Sequence, residues 1–500
     1  MDIVFTQKTE SGYRCFAEPV RRLPVSAESV VPDTQEDIGR IASVRTQLLL
    51  KSKDVTSRGV TVTGELDTVL FYITESENMV SSLQLQRDFA LDFELGEIPS
   101  DTQAQIHLTV SNTEARVLNP RKISVTVEIQ GALQAFVCED NPVETIVPEE
   151  ARAWLRYQVR QKETTRINGV CEKAFVLNEQ YLIPESKPTP IRIVSQNVSL
   201  RTEDLQQVGS RVVIKGTVYV ELWYQPENRD YPESLTVSSP FSQIVDTGAE
   251  ECEGGTAHVE VTGVYFDLID TLSGGKALDM EVHAVLQLVS RCRQKMEFVA
   301  DAYSNRCPSV CEYQRRELLE RSGEEHVVLS GEETLTIAED CDSVLNVIQN
   351  LTRAAVVDGI PTATVGLDIL YRRKNGELSS VRRQMELKGK GIPDEYRLES
   401  SRLSDTDFHQ EGTALRSRAS AELTVYRETI REESCVTGVS LQEDRPYPVS
   451  EFPTVTLVRA DPAQLWSLAK LYHSSVEAIE ATNENLSPGT VKLLLIPRET

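Results

Sequence analysis

No stretch of eighteen apolar residues occurs anywhere in the chain, so it holds no hydrophobic helix of membrane-spanning length. The first residues, Met1-Asp2-Ile3-Val4-Phe5, lack the basic region and apolar core of a secretory signal. We therefore expect a protein that stays in the cytoplasm of the cell that makes it. Positive charge is scarce: 52 Lys and Arg stand against 77 Asp and Glu, a net charge of −25. Phosphate neutralisation needs a basic surface, so this balance excludes a general nucleic-acid binder. The nine cysteines are odd in number and scattered, as expected of reduced, structural thiols. The nearest pair, Cys307 and Cys311, has no second pair and no neighbouring histidine, and zinc wants four ligands. We expect no metal site.

Catalytic signatures are missing as well. The chain has no Gly-x-Ser-x-Gly elbow, Walker loop, dinucleotide fingerprint or His-Glu-x-x-His. Gly274-Gly275-Lys276 lacks the spacing of a phosphate loop and reads as a strand turn. Its six histidines are isolated, and His107 and His283 fall on the polar phase of strand-like stretches. They read as surface or satisfied strand histidines. The acidic groups Glu250, Glu251 and Glu253, and Glu332-Glu333, adjoin glycine in loop-like sequence and read as solvated faces. Paired carboxylates do acid–base work only in a shaped, partly desolvated cleft. The expectation is a chain with no enzymatic activity and no cofactor.

What the chain does have is a repeat. Val30-Val31-Pro32-Asp33 followed by Asp37-Ile38, Leu182-Ile183-Pro184-Glu185 followed by Pro190-Ile191, and Thr336-Ile337-Ala338-Glu339 followed by Val344-Leu345 mark three similar entries. Each leads to a strand that passes a glycine and ends on aromatics: Val60 through Gly64 to Tyr72, Val212 through Gly216 to Tyr224, and Thr362 through Gly366 to Tyr371. A long strand then closes each unit, over 121–130, 277–289 and 414–426. In the first, Ile123, Val125, Val127 and Ile129 alternate with polar residues, the period of a half-buried strand. Asn375-Gly376 predicts a type I′ hairpin. The fold class expected is mainly β: three tandem β-sandwich or barrel-like repeat domains. Their spans are 1–136, 137–291 and 292–433, the last two each opening on a connector of paired strands. A proline-containing linker follows over 434–453, with Pro446, Pro448 and Pro453.

Residues 454–498 form a different pattern. Val455–Val458 and Lys492–Ile496 are strand-length apolar runs. Between them Leu465, Leu468, Ala469 and Tyr472 share one helical face, and Val476 and Ile479 face inward in a second helix. Asp461, Pro462 and Gln464 predict one capped helix start, and Ser474 with Glu477 predicts another. Trp466 lies about 100° around the first helix from Leu465. It either covers the flank of this small βααβ domain or stands as an exposed aromatic anchor. In the third repeat, Arg372, Arg373, Lys374, Arg382 and Arg383 make one hairpin basic. They read as charged edge strands that discourage stray pairing, or as a docking patch for an acidic partner.

The order Leu465-Trp466-Ser467-Leu468-Ala469-Lys470, Tyr472, Asn483, Pro488-Gly489 and Leu494-Leu495-Ile496-Pro497 resembles a LysM domain. Where that family usually reads Gly-Asp-Thr in its first loop, this chain has Ala460-Asp461-Pro462-Ala463-Gln464. With the three repeats, the Asp301-Ala302-Tyr303-Ser304 connector and the terminal module, the whole chain resembles the SPOCS-domain spore coat morphogenetic proteins of endospore-forming bacteria. The resemblance implies a non-enzymatic scaffold in the mother cell, at the outer surface of the forespore. Its partners would be a SpoIVA-like coat-basement ATPase and other coat proteins. It implies partner or glycan contact at Asp461, Trp466, Tyr472, Asn483, Pro488 and Gly489. LysM domains commonly bind N-acetylglucosamine polymers, so peptidoglycan is the alternative ligand. The rebuilt first loop and the missing export signal both favour protein.

Overall fold

The computed structural model describes residues 1–227, 231–248, 254–271, 275–393, 396–447, 454–483, 486, 489 and 491–498, with side chains of 322–324 outside the description. Among them the protein is mainly β. Alternation of apolar and polar residues is the cause. Ile123, Val125, Val127 and Ile129 are at most 3% exposed, and Ala419, Ala421, Leu423 and Val425 are fully buried, while the residues between them, apart from the buried Ser420, are only partly covered.

Three units repeat one plan. Each has a three-stranded antiparallel meander: Ile38–Thr56, Gly59–Thr74 and Val80–Glu94 in the first, Pro190–Val208, Arg211–Pro226 and Glu233–Asp246 in the second, and Cys341–Val357, Ile360–Arg373 and Leu378–Lys388 in the third. Facing it is a second layer whose central strand is the last of the unit: Lys122–Ile146, Lys276–Tyr303 or Ala414–Leu441. The unit's opening strand flanks this on one side, and Gln103–Asn119, Gly254–Asp270 or Tyr396–Glu411 on the other. Apolar residues from both layers fill a separate core in each unit. The first meander strand bulges after Ile38 and Ile41, after Pro190 and Ile193, and after Cys341 and Val344. The recurrence of these bulges at the same three-residue spacing bends all three strands alike.

The long strands run on past the sandwiches as paired arms. Residues 6–30, interrupted at Glu18 and Pro19, pair with 122–146; 156–182 pair with 276–303; and 309–336 pair with 414–441. The expected divisions at 136/137, 291/292 and 433/434 consequently fall inside strands. Residues 137–146, 292–303 and 434–441 hold polar side chains often enough to read as connector or linker, yet they complete the ladder of the preceding unit. Of the expected linker, Ser434–Leu441 is strand, and 448–453 lie outside the described residues.

The arms meet at a hub of Phe5, Val147, Leu155, Val299, Val436 and neighbours. There Asp2–Val4 pairs with residues 438–440, so the first strand joins the last arm. The meanders meet at a second junction, where Phe71 and Ile73 of the first unit pack with Trp223 of the second and Ile348 and Leu378 of the third. Arg45, only 5% exposed, reaches from the first unit to Glu221 of the second at 2.8 Å and Asn350 of the third at 3.4 Å. Gln287 extends a neighbour's strand with its amide, accepting from Ile106 N at 2.8 Å and donating to Ile106 O at 2.7 Å. The three units thus touch pairwise, as a closed ring.

One turn differs from expectation. Asn375-Gly376 closes as a type I turn with Gly376 alone at positive φ (89°), its amide donating to Arg373 O at 2.8 Å. Both central residues need positive φ in type I′, and that condition holds instead at Asp358-Gly359 (51° and 70°). Of the Gly274-Gly275 turn, Gly274 lies outside the described residues.

Candidate functional site

The carboxyl-terminal module comprises strands Val455–Ala460 and Lys492–Pro497, paired antiparallel, and two short helices, Leu465–Leu471 and Val476–Thr482. Leu468, Ala469, Ile479, Leu494 and Ile496 form its core, with Leu465, Tyr472 and Val476 packed on them. The first helix is entered through a 3-10 turn, Pro462–Gln464, capped by Asp461, whose Oδ1 accepts from Ala463 N at 2.9 Å. The second cap falls one residue later than expected. Ser475 Oγ accepts from Ala478 N at 3.1 Å, while Ser474 turns its hydroxyl to Pro497 O and is fully buried.

Asp461 also accepts from Gly489 N at 2.9 Å, so one carboxylate ties the loop before the first helix to the loop after the second. These two amide donors hold its pKa below the ordinary carboxylate value. Gly489 sits at φ +86°, where a side chain would be strained. Asn483 closes the other side. Its amide donates to Ile479 O (2.7 Å) and Leu495 O (2.6 Å), and its Oδ1 accepts from Leu495 N (2.8 Å). The side chain thereby completes the outer edge of the last strand, which blunts that edge. Tyr472 ends the first helix with its amide on Leu468 O at 2.9 Å, and its ring joins the module core. Pro488 lies outside the described residues.

Trp466 is neither a bare flank nor a free anchor. Its Nε1 donates to Asp301 Oδ2 at 2.9 Å, and its ring meets Tyr303 edge-on at 5.1 Å. Lys470, one turn later, donates to both Asp301 oxygens at 2.8 and 2.9 Å. Tyr303, 2% exposed, donates its hydroxyl to Ser474 O at 2.7 Å. The end of the second unit's arm is therefore the surface on which the module docks. Burial alone would raise the Asp301 pKa, but the hydrogen bonds from Lys470 and Trp466 outweigh it and hold the carboxyl low. No local pattern signals this contact, because Asp301 and Lys470 are 169 residues apart.

The basic hairpin is largely engaged within the chain. Arg382 makes a two-pronged contact with Asp368 at 2.6 and 3.2 Å and reaches Thr113 O of the first unit. Arg383 donates to Thr336 O and Ile337 O, Arg373 bonds Ser379 and pairs with Asp340, Lys374 reaches Glu339 O, and Arg372 reaches Gly376 O. The same hairpin abuts the first unit: Asn78 Oδ1 accepts from Leu378 N at 2.9 Å, and Ser380 Oγ donates to Ile41 O at 2.7 Å. Most of these charged contacts lie within the third unit, and among them the one from Arg382 to Thr113 O crosses to the first.

Other titratable groups also sit at seams or on open faces. His107 Nδ1 lies 2.9 Å from Glu260 of the second unit, and its ring stacks on His258 at 5.2 Å. Burial works against a charged His107, but Glu260 outweighs it and raises its pKa; burial first, then His107, pushes His258 down to about 3. His283 meets Glu281 at 2.6 Å beside Tyr265, Asp267 and Asp279, in an open depression of about 330 Å³. The cavity between Phe71, Trp223, Ile348 and Leu370, about 20 Å³, holds one water at most. Among the described residues no three or more His, Cys, Asp or Glu side chains are grouped to hold a metal ion, and no helix is long and apolar enough to cross a membrane. The acidic group Glu250, Glu251 and Glu253 lies outside the described residues. In comparisons with known proteins, no family model, curated protein or solved structure matches this chain.

Proposed function

We propose that this protein is a non-enzymatic scaffold of the bacterial spore envelope. It joins coat layers to the forespore surface by binding a SpoIVA-like basement-layer ATPase through a LysM-type carboxyl-terminal module. The observation that carries the reading is the division of labour in the chain. Three sandwich units are locked by buried side chains such as Arg45 into one ring, and a separate βααβ module is docked on the end of the second unit's arm. A rigid body with an appended recognition module suits tethering, since linkage raises the effective concentration of the second contact. Asp461 points toward protein rather than sugar as the ligand, because its carboxylate already joins two loops of the module.

The test is co-purification of a SpoIVA-like ATPase with the intact chain and with a chain ended before Phe452. Binding that disappears on truncation supports the reading, and binding that persists overturns the role of the module. A fluorescent fusion should form a shell around the forespore in sporulating cells. Retention on insoluble peptidoglycan, competed by chitin oligomers, would replace the protein ligand with a glycan.

A further inference from the structure

The module is docked on a short stretch of the chain whose chemistry is simple. Asp301 offers both carboxylate oxygens, one to Trp466 and both to Lys470, and Tyr303 two residues on inserts its ring beside Trp466 with its hydroxyl on Ser474 O. In a strand, residues i and i+2 point to the same side, so Asp and Tyr at this spacing reach one surface together. Each group is matched: an indole N–H and an ammonium for the carboxylate, an aromatic face for the ring, a backbone carbonyl for the phenol. Matched charge-assisted and aromatic contacts of this kind are those that dominate recognition.

We propose that residues 301–303 act as a tethered ligand, and that the Trp466–Lys470–Ser474 face is a recognition site for an extended Asp-x-Tyr segment of a different protein. This rests on the reading of the module as the part that binds partners, and it names the chemistry bound. In the resting chain the site is filled from within, and a partner segment must displace the arm end. A different protein is the occupant, rather than a second copy, because copies carrying −25 each repel one another. The module itself is neutral: Arg459, Lys470, Lys492 and Arg498 balance Asp461, Glu477, Glu480 and Glu484. An acidic–aromatic strand therefore meets no net repulsion there.

The probe is a synthetic peptide reproducing residues 298–306, titrated into the full-length protein and followed by fluorescence anisotropy, with small-angle scattering reporting release of the module. In the variant D301N/Y303S the internal ligand is removed. The expected result is an expanded particle that binds the peptide about tenfold or more tighter than the wild type, since internal ligands compete at millimolar effective concentration. A peptide with Asn in place of its Asp should lose this binding. K470Q, which keeps the body sequence intact, should also expand the particle yet bind no peptide. An expanded D301N/Y303S that ignores the peptide overturns the proposal, and so does equal binding by wild type and variant. Concentration-dependent dimers of the wild type in sedimentation would overturn the choice of occupant. Peptide binding with no ATPase binding would leave this inference standing while removing the named partner.

Discussion

Arg45 concentrates the cost of assembling three units in one side chain. Its guanidinium is almost fully buried, reaches Glu221 and Asn350, and lies 5.5 Å from the Trp223 ring. Losing one partner of a buried pair strands the other charge, at about 3–5 kcal/mol when both are dry. Glu221 keeps a third of its side chain in contact with solvent, so about 2–3 kcal/mol is expected for Arg45→Ala. Urea denaturation should show it, and the double variant with Glu221→Gln should fall short of the sum. The histidine pair at the first seam gives a pH signature. His258 is held neutral, so the unfolded chain binds more protons than the folded one as pH falls below the ordinary 6.5 toward about 3. Stability contributed by His258 is therefore fully present above pH 6.5 and declines below it. The raised pKa of His107 works in the opposite sense, favouring the fold at low pH and losing that contribution as pH rises through it. His258→Gln should flatten the acid decline measured by thermal melts between pH 6.5 and 4.

Among the elements, the second meander strands of the first and second units each depend on a glycine, Gly64 and Gly216, because the backbone of the first strand lies close against it. A Cβ at Gly216 would lie 2.0 Å from Arg201 O and 2.6 Å from the Phe241 ring. Backbone cannot give way there cheaply, so Gly216→Ala is expected to cost about 3 kcal/mol, measurable as a lowered melting temperature. In the module, Asn483→Ala removes three side-chain hydrogen bonds, two to Leu495 of the last strand and one back to Ile479 of the second helix. These bonds are partly solvated, so about 1–2 kcal/mol of module stability should go, read by amide exchange at Leu495. Such elements were the most legible part of the sequence. Alternation at Ile123–Ile129, the Gly64 and Gly216 positions and the helical face at Leu465–Tyr472 each carry their own local period. Element ends were not legible where the period continued beyond a plausible unit: nothing in residues 434–441 distinguishes a solvated linker from the outer half of an arm strand. The caps were legible only to within a residue, because Ser474 and Ser475 offer the same chemistry and tertiary packing decides between them.

At the scale of the whole molecule, the docking of the module depends on an ionised Asp301. Its pKa is depressed below 3.8, so undocking favours proton uptake. Docking is fully supported above that ordinary value and weakens as pH falls through the folded one. Scattering profiles should therefore expand on acidification below the ordinary value of 3.8, and Asp301→Asn should expand them already at pH 7, with a loss of about 1–2 kcal/mol of docking free energy. Neither this contact nor the ring could be read from the sequence. Both join residues more than 160 positions apart, and a lone Asp, Trp or Arg has no pattern that names its partner.

The pairing of Asp2–Val4 with residues 438–440 carries a consequence for the order of synthesis. At about 5–20 residues per second, roughly 20–90 s separate the emergence of the two strands from a ribosome. The first unit can close its sandwich early, since its strands lie within residues 20–132. Ile3 and Phe5, buried at the hub in the finished protein, have no arm to rest on during that interval. The nascent chain therefore presents two apolar residues beside a folded domain until its last long strand is made, and that is when a chaperone would have something to hold.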